Sequence, residues 1–470
     1  MIEVATDETS RGRQGARRWA LVTLLAGQMM ASLDTSIVSV AAPTIRHDLH
    51  LAGAATQLVV SGYVLAYAVL LVTGARLGGD HGQRRLFVLG VGGFTVFSVV
   101  SGLAPGLWVL VAAQVVLGAS AALMVPQVLS LIHVTFQGVE RERAVGLYSM
   151  VLAAGVALGQ VLGGFLITVD LVGLAWRPIF LINVPIGLFL LLAAPATLPV
   201  VRGRGGHGLD VPGVLTLAAA MILLVLPLTF GPQLSWPRWT WACLAGAAMA
   251  MACFVTIELA ALRRGQQPLL DLRALLAPGV TPGLIVVLAT MGSYGGLLFT
   301  ISQYLQAGLA FTPLAAGLTF APYAAGFAAV SLSWSRLAPR AQRWLPSTGL
   351  LALAAATTIL AVRLASGWSP ALLPLLLLAG AGHAAAFGPL VAQIAHRVGA
   401  DRAPAFSALV TTTMQVAIVI GIAMLGSLYL AVSRAGAPAT SGHALALVCA
   451  AVAAICVLST AGSVRVAARA

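Results

Sequence analysis

An all-α integral membrane protein is the fold class that the sequence predicts, with fourteen transmembrane helices in two pseudo-symmetric six-helix bundles plus an inserted helix pair. Three observations lead there. The chain has 470 residues, of which 60% are hydrophobic and 8% charged, whereas a soluble domain carries about 25% charged residues. Apolar runs of about 20 residues, enough to cross a bilayer as a helix, succeed one another along its whole length. The cationic residues, all 26 of them arginine, gather in alternate connections.

Windows of about 19 residues place the spans at 19–42, 56–75, 86–104, 107–132, 143–169, 178–199, 211–231 and 239–261, then at 279–303, 313–334, 345–363, 370–394, 403–431 and 442–464. An even count puts both termini on one side. If that side is the cytoplasm, the inner segments hold all the arginines except Arg46, Arg177, Arg238, Arg363 and Arg434. Every inner connection then obeys the positive-inside rule, which a miscounted span would scramble. Arg11, Arg13, Arg17 and Arg18 precede an apolar run with many successors, so that run reads as the first span and not as a cleaved signal. The formal charge of +13 is thus a topology signal and not a nucleic-acid surface, because the arginines form no continuous stripe.

The expected organisation is a cytoplasmic tail at 1–18, a first bundle at 19–200, an inserted pair with its flanking loops at 201–278, a second bundle at 279–464 and a cytoplasmic tail at 465–470. Weak internal symmetry supports the two halves, since Arg76-Leu77 with Gln83-Arg84 recurs as Arg336-Leu337 with Gln342-Arg343. Cys243, Cys253, Cys449 and Cys456 lie in apolar runs without metal-ligand spacing and read as packing residues.

Among thirteen carboxylates only Asp34 sits well inside a span. It lies about 22 Å along its helix, past the middle of a hydrocarbon core about 30 Å thick. A charge there costs about 2.5–3.5 kcal/mol on insertion scales, so Asp34 is a candidate for binding and releasing a proton; a carboxyl bonded to a neighbouring helix for packing is the plain alternative. Gln114 falls at nearly the same depth and can offer that carboxyl a hydrogen bond without charge. His383, mid-span, is a second titratable candidate, although a lone histidine among alanines and glycines is more often a core residue. Glu258, ahead of Arg263 and Arg264, reads as an interfacial carboxylate. Asp80, with Arg84 four residues on and Arg85 beside it, forms a charged cluster in an inner loop. Gly155, Gly159, Gly163 and Gly164, with Gln160 among them, form a helix face that a neighbour can approach closely, and so a candidate gating contact. Tyr63, Tyr67, Met124, Met150, Tyr294, Gln303 and Tyr323 are candidate cavity residues for lipophilic or cationic molecules.

No Walker loop, no H-E-x-x-H and no G-x-S-x-G in a strand context is present. A polytopic group-transfer enzyme would have only Glu140 and Glu142 with His133 to draw on.

Four stretches carry a family resemblance. They are Leu33-Asp34-Thr35-Ser36-Ile37-Val38-Ser39-Val40-Ala41-Ala42-Pro43, the glycine run from Gly155 to Gly164, Trp176-Arg177-Pro178-Ile179-Phe180-Leu181-Ile182-Asn183-Val184-Pro185-Ile186-Gly187, and Pro268-Leu269-Leu270-Asp271-Leu272. The chain resembles the major facilitator superfamily, in its fourteen-span drug:proton antiporter branch, whose patterns L-D-x-T-x-V-N-V-A-L-P, G-x-x-x-G-P-x-x-G-G and W-R-W-I-F-x-I-N-x-P-I-G these segments follow. Departures accompany the match: Ser39 replaces asparagine, Gln160 replaces proline, and Asp80 stands one place late in the inner-loop motif, where Gly79 occupies the aspartate's position. Gln114-Val115-Val116-Leu117-Gly118 lacks the arginine of the family's R-x-x-Q-G motif, which leaves Asp34 without a cationic partner. The resemblance implies alternating access in the inner membrane by a monomer, with a small molecule exported against protons and no cofactor. A metabolite or self-made antibiotic exporter with weaker coupling is the other transport reading.

Overall fold

The computed structural model describes the chain apart from residues 1, 52, 171–172, 202–209, 232–233, 265–267, 271, 365–366, 399–402, 434–437 and 469–470. Arg202, Arg204, Asp271, Arg402, Arg434 and Arg469 lie outside the described residues, as do the side chains of Arg11, Arg13, Glu142 and Arg397.

The described helices are α1 (Ile2–Asp48), α2 (Gly53–His81), α3 (Gln83–Gly102), α4 (Leu107–Thr135), α5 (Gly138–Val169), α6 (Pro178–Leu181), α7 (Asn183–Thr197), α8 (Val211–Phe230), α9 (Arg238–Arg263), α10 (Val280–Gln303), α11 (Pro313–Thr319), α12 (Ala321–Ser333), α13 (Pro339–Leu364), α14 (Leu373–Val398), α15 (Ala403–Val432) and α16 (Pro438–Ala468). Thirteen helical stretches among the described residues are long and apolar enough to cross a membrane, and α5 adds the shorter apolar segment Leu158–Val169.

Prolines explain where the helices depart from the expected spans. The span expected at 178–199 is two helices, because Pro185 has no N–H to return to the carbonyl of Leu181, and the chain breaks at Ile182 before α7. The span expected at 313–334 divides at Phe320 in the same way, with Pro322 unable to bond Leu318. In α1 the helix runs on through Pro43 to Asp48, beyond the expected end at residue 42. Pro43 leaves the Ser39 carbonyl without its usual donor, and the Ser302 hydroxyl supplies one at 3.0 Å. The expected tail at 1–18 is helical from Ile2.

Helices α2, α3 and α4 pack on one another, α5 lies along α1, and α7 rests on α1 and α3. Later in the chain α10 packs on α15 and α16, α13 on α14 and α16, and α12 on α14. Helices α8 and α9 pair, and α8 leans on both α2 and α15. Ser427 of α15 marks that junction, donating to the Leu228 carbonyl of α8 at 2.9 Å and to Gln57 Oε1 of α2 at 3.3 Å. Buried Cys449 and Cys456 fit the packing expectation; Cys253 is exposed on α9 and does not.

The helices run alternately, so Asp48, Gly102 and Val169 mark one end of the molecule, the far end, and His81, Thr135 and Thr197 the other, the near end. Links between the earlier and later helices lie toward the far end. Gln306 donates to the Val40 carbonyl at 2.9 Å, the Leu314 N–H to Thr168 Oγ1 at 3.1 Å, and Gly164 sits against Pro313 and Leu314. The Trp-Arg motif secures the same end within the first part, with Trp176 Nε1 and an Arg177 guanidinium N–H donating to Asp48 Oδ2 at 2.8 and 3.1 Å.

Candidate functional site

On the near side of that far-end seam lies a cavity with about 1030 Å³ of space between atoms, part of it open to solvent. Its walls come from α1, α2, α5, α10, α12, α14 and α15. From α1 it takes Gln28, Ala31, Ser32 and Thr35, residues spaced one helical turn apart and therefore on one face. Opposite stand the aromatic residues Tyr294, Tyr323, Phe327 and Phe387, with Tyr63 and Tyr67 from α2. Gln160 and Gln415 add amide groups, and none of the described lining residues is charged. Flat aromatic walls with a few neutral hydrogen-bonding groups suit lipophilic molecules that carry a small number of polar atoms.

The expected cavity set divides. Tyr63, Tyr67, Tyr294 and Tyr323 line the space, but Met124, Met150 and Gln303 do not. Met124 is buried beneath Gly27 and Gly90, Met150 is 41% exposed, and Gln303 is buried next to the seam residue Ser302. Gln28, Thr35, Gln415 and the phenylalanines were missed, although the polar 28/32/35 spacing within an apolar span was available as a signal.

Asp34 occupies an adjoining face of α1, outside the cavity lining. It is buried, and its Oδ1 accepts a 3.1 Å hydrogen bond from Asn183 Nδ2, while Oδ2 has no hydrogen-bond partner. Asn183 also reaches Ser98 Oγ at 3.3 Å. The proline break before α7 starts a new helix at Asn183 and so aims that amide at α1. Asp34 therefore rests against a neutral dipole. Tyr63 connects the two compartments. It lines the cavity, its hydroxyl approaches the Ala31 carbonyl at 3.4 Å, and it lies within electrostatic reach of Asp34. The sequence reading gave the amide role to Gln114, and the structure corrects it. Gln114 is fully buried against α2 near Gly62, and both of its side-chain polar atoms lack partners.

His383 is fully buried and stands behind the opposite wall. Its Nδ1 lies 3.0 Å from the Tyr323 hydroxyl and 3.1 Å from the Ala379 carbonyl, and its Nε2 lies 3.1 Å from Ser293 Oγ. It touches the cavity through Tyr323 and through the ring of Tyr294, 6.0 Å away between centroids.

The gating residues also separate. Gly155, Gly159 and Gly163 face Ser32, Ser36 and Ile37 of α1, a contact inside the first part of the fold. Gly164 faces Pro313 and Leu314 across the seam, and Gly317 of α11 meets Gln160 there. Asp80 and Arg84 are not one helix turn apart, because Gly82, at φ 97°, ends α2 and starts α3 between them. Arg84 instead donates to the carbonyls of Pro195 and Leu198 at the end of α7, at 3.1 and 3.3 Å, and Arg85 is exposed. Glu140 pairs with Arg17 at 3.2 Å on the exposed near end. Glu258, expected at an interface, is fully buried.

Known proteins place this arrangement. The chain is 34% identical over 422 residues to the probable actinorhodin transporter of Streptomyces coelicolor, covering 88% of this chain and 73% of that one. It is 35% identical over 301 residues to the tetracenomycin C resistance and export protein of Streptomyces glaucescens, covering 63% of this chain and 54% of the relative. Its fold matches the crystal structure of a bacterial homologue of the human lysosomal transporter Spinster, inward-facing and unoccupied, with a TM-score of 0.69 over 97% of each chain at 17% identity. The sequence pattern of the Major Facilitator Superfamily spans residues 24–422, and the chain belongs to that family of membrane transporters.

Proposed function

We propose that the protein is a secondary-active exporter of lipophilic small molecules, neutral or cationic, driven by protons moving the other way. The observation that carries this reading is the aromatic cavity, closed off at the far end by the seam, with a buried carboxyl on an adjoining face of its wall helix α1. In this reading α5 supplies a fourteenth span, the two sets of six spans rock about the cavity, and α8 and α9 are an inserted pair. Both termini lie in the cytoplasm, and the near end is the cytoplasmic one, so the conformation described above is inward-facing. The cycle runs in a monomer in the plasma membrane without nucleotide or cofactor.

Asp34 takes a proton when the far end opens and returns it to the near side, with Tyr63 joining it to the cavity. Gln160 and Gly164 belong to the moving seam, and His383 orients Tyr323. Each proton moved inward yields about 2.3 kcal/mol per 100 mV of membrane potential. Proteoliposomes with an imposed pH gradient test this: Asp34→Asn should insert and bind substrate but lose gradient-driven uptake into inverted vesicles. Undiminished proton-driven transport by that variant rejects the assignment.

A narrower reading, export of one self-made antibiotic, is favoured by the relatives named for actinorhodin and tetracenomycin C. A susceptibility panel in an efflux-deficient host separates the two, since protection against a single compound supports the narrow reading and protection across chemical classes the broad one.

A further inference from the structure

At the near end, away from the cavity, two acids meet at the foot of the inserted pair. Asp210 caps α8, accepting the Gly213 N–H on Oδ1 at 2.9 Å and the Leu269 N–H on Oδ2 at 3.0 Å. Glu258 of α9, 0% exposed, accepts the Leu270 N–H on Oε2 at 2.9 Å. Two consecutive backbone amides are thus held by two different carboxyls. The other oxygen of Glu258, Oε1, is buried and has no hydrogen-bond partner. It points toward Asp210: a methyl group at Gly213 would meet Asp210 Oδ2 at 2.5 Å and Glu258 Oε1 at 2.6 Å, so both oxygens border one small space. Among the described residues, Arg263 and Arg264 close α9 beyond Glu258. Arg76 of α2 lies within electrostatic reach of Asp210, Glu258 and Asp80, and the exposed Arg273 belongs to the short helical turn Leu272–Leu276 that packs on α9 and α10.

An ionised Glu258, fully buried beside the half-buried Asp210 carboxylate, would be repelled by it. We infer that Glu258 holds a proton and donates it to the Asp210 carboxylate, forming a second proton-binding site that fastens the 268–270 segment to the inserted helices. The protonated carboxyl donates its O–H to the carboxylate of its partner, which gives the orphaned Oε1 a bond. Loss of the proton leaves two anions face to face, and their separation loosens Leu269 and Leu270. The turn at Leu272–Leu276 follows directly and leads into α10, which supplies Met291 and Tyr294 to the cavity. The inserted pair is in this way a proton-sensitive brace on a cavity helix, independent of Asp34.

Infrared spectra of the purified full chain at neutral pH, in water and in heavy water, test the site in an Asp34→Asn background, where Asp34 contributes no acid band. A deuterium-sensitive protonated-carboxyl band is expected, and it should vanish when Glu258→Gln is added. A band of equal size in the double variant, or no band in the single one, overturns the inference. Stability gives an independent readout. Glutamine reproduces the protonated acid, so Glu258→Gln should melt with wild type at neutral pH and Glu258→Ala below it. Hydrogen exchange at Leu269 and Leu270 should accelerate at least tenfold beyond the intrinsic rate on raising the pH in wild type but not in Glu258→Gln. If Glu258→Gln melts as low as Glu258→Ala, the ionised form is the one required and the proton on Glu258 is excluded.

Discussion

Adjacent glycines on α5 offer a test of which contact moves. Gly163 faces Ile37 of α1, whereas Gly164 faces Pro313 and Leu314 across the seam. A methyl group at Gly164 would stand 2.8 Å from Leu314 Cα and closer still to the Pro313 carbonyl, where ordinary contact begins at 3.4 Å. The seam must therefore open by about 0.6 Å or more against backbone that cannot rotate away. Overpacking of this kind costs about 1–3 kcal/mol, and here the cost falls only on the state in which the far end is closed. Gly164→Ala should therefore shift the balance toward a far-open state by about 5- to 140-fold, tenfold for each 1.4 kcal/mol. Gly163→Ala meets Ile37 Cγ1 at 2.7 Å inside one part of the fold, so it should lower the melting temperature without moving that balance. Spin labels at the exposed positions Leu103 and Arg363 report the far end, and labels at Arg85 and Arg340 the near end, in a background without the native cysteines. Gly164→Ala should lengthen the first distance and shorten the second. Equal redistribution by both alanines, or none by Gly164→Ala, would refute the assignment of the seam.

Gln306→Ala removes the bond to the Val40 carbonyl across the seam, about 1 kcal/mol, and should move the same label distances in the same direction, by about fivefold in population. Asn183→Ala strips the donor from Asp34 and should abolish most proton-driven transport in proteoliposomes, whereas Gln114→Leu, which replaces an amide without partners, should leave transport intact and raise the melting temperature slightly. Tyr323→Phe breaks the contact with His383 Nδ1; it should cost about 1 kcal/mol in denaturation and weaken fluorescence-monitored binding of oxygen-bearing aromatic ligands more than that of hydrocarbons.

Much of the fold was legible because a bilayer imposes a length on every helix and the arginines mark alternate ends. The exceptions have local causes. Pro185 and Pro322 split helices that hydropathy shows as single spans, since an average over 19 residues does not register one missing N–H. Asp34 was legible as the lone acid in an apolar run, but its partner was not. Depth along separate helices matched it to Gln114, whereas rotation about the helix axis turned Gln114 toward α2 and left Asn183, on a helix restarted by proline, to make the bond. Glu258 was misread for a related reason. Two nearby arginines at the helix end suggested an interface, but the loop at 268–270 folds back over the carboxyl and buries it, and a loop's return path leaves no periodic trace.

The placement of Asp34 outside the cavity lining constrains how the proposed exchange would be coupled. Residues 31, 32 and 35 face the cavity and residue 34, about 100° round the helix axis from Thr35, faces Asn183, so a bound molecule and the acid touch different faces of one helix. Direct competition for a single spot is therefore not the mechanism that this geometry supports. Coupling has to pass through the position of α1, whose far-end carbonyls at Ser39 and Val40 are the ones that hold Ser302 and Gln306. An ionised Asp34 draws α1 toward the Asn183 amide more strongly than a neutral one, because hydrogen bonds to charged groups are worth about 1.5–3 kcal/mol against about 1 for neutral pairs. That difference acts on the same helix that carries the seam, and Tyr63, in reach of both the acid and the cavity, lets an occupant bias which protonation state α1 accommodates. In the proposed cycle an uncharged cavity then suffices for neutral and cationic substrates alike, since the acid need not meet them.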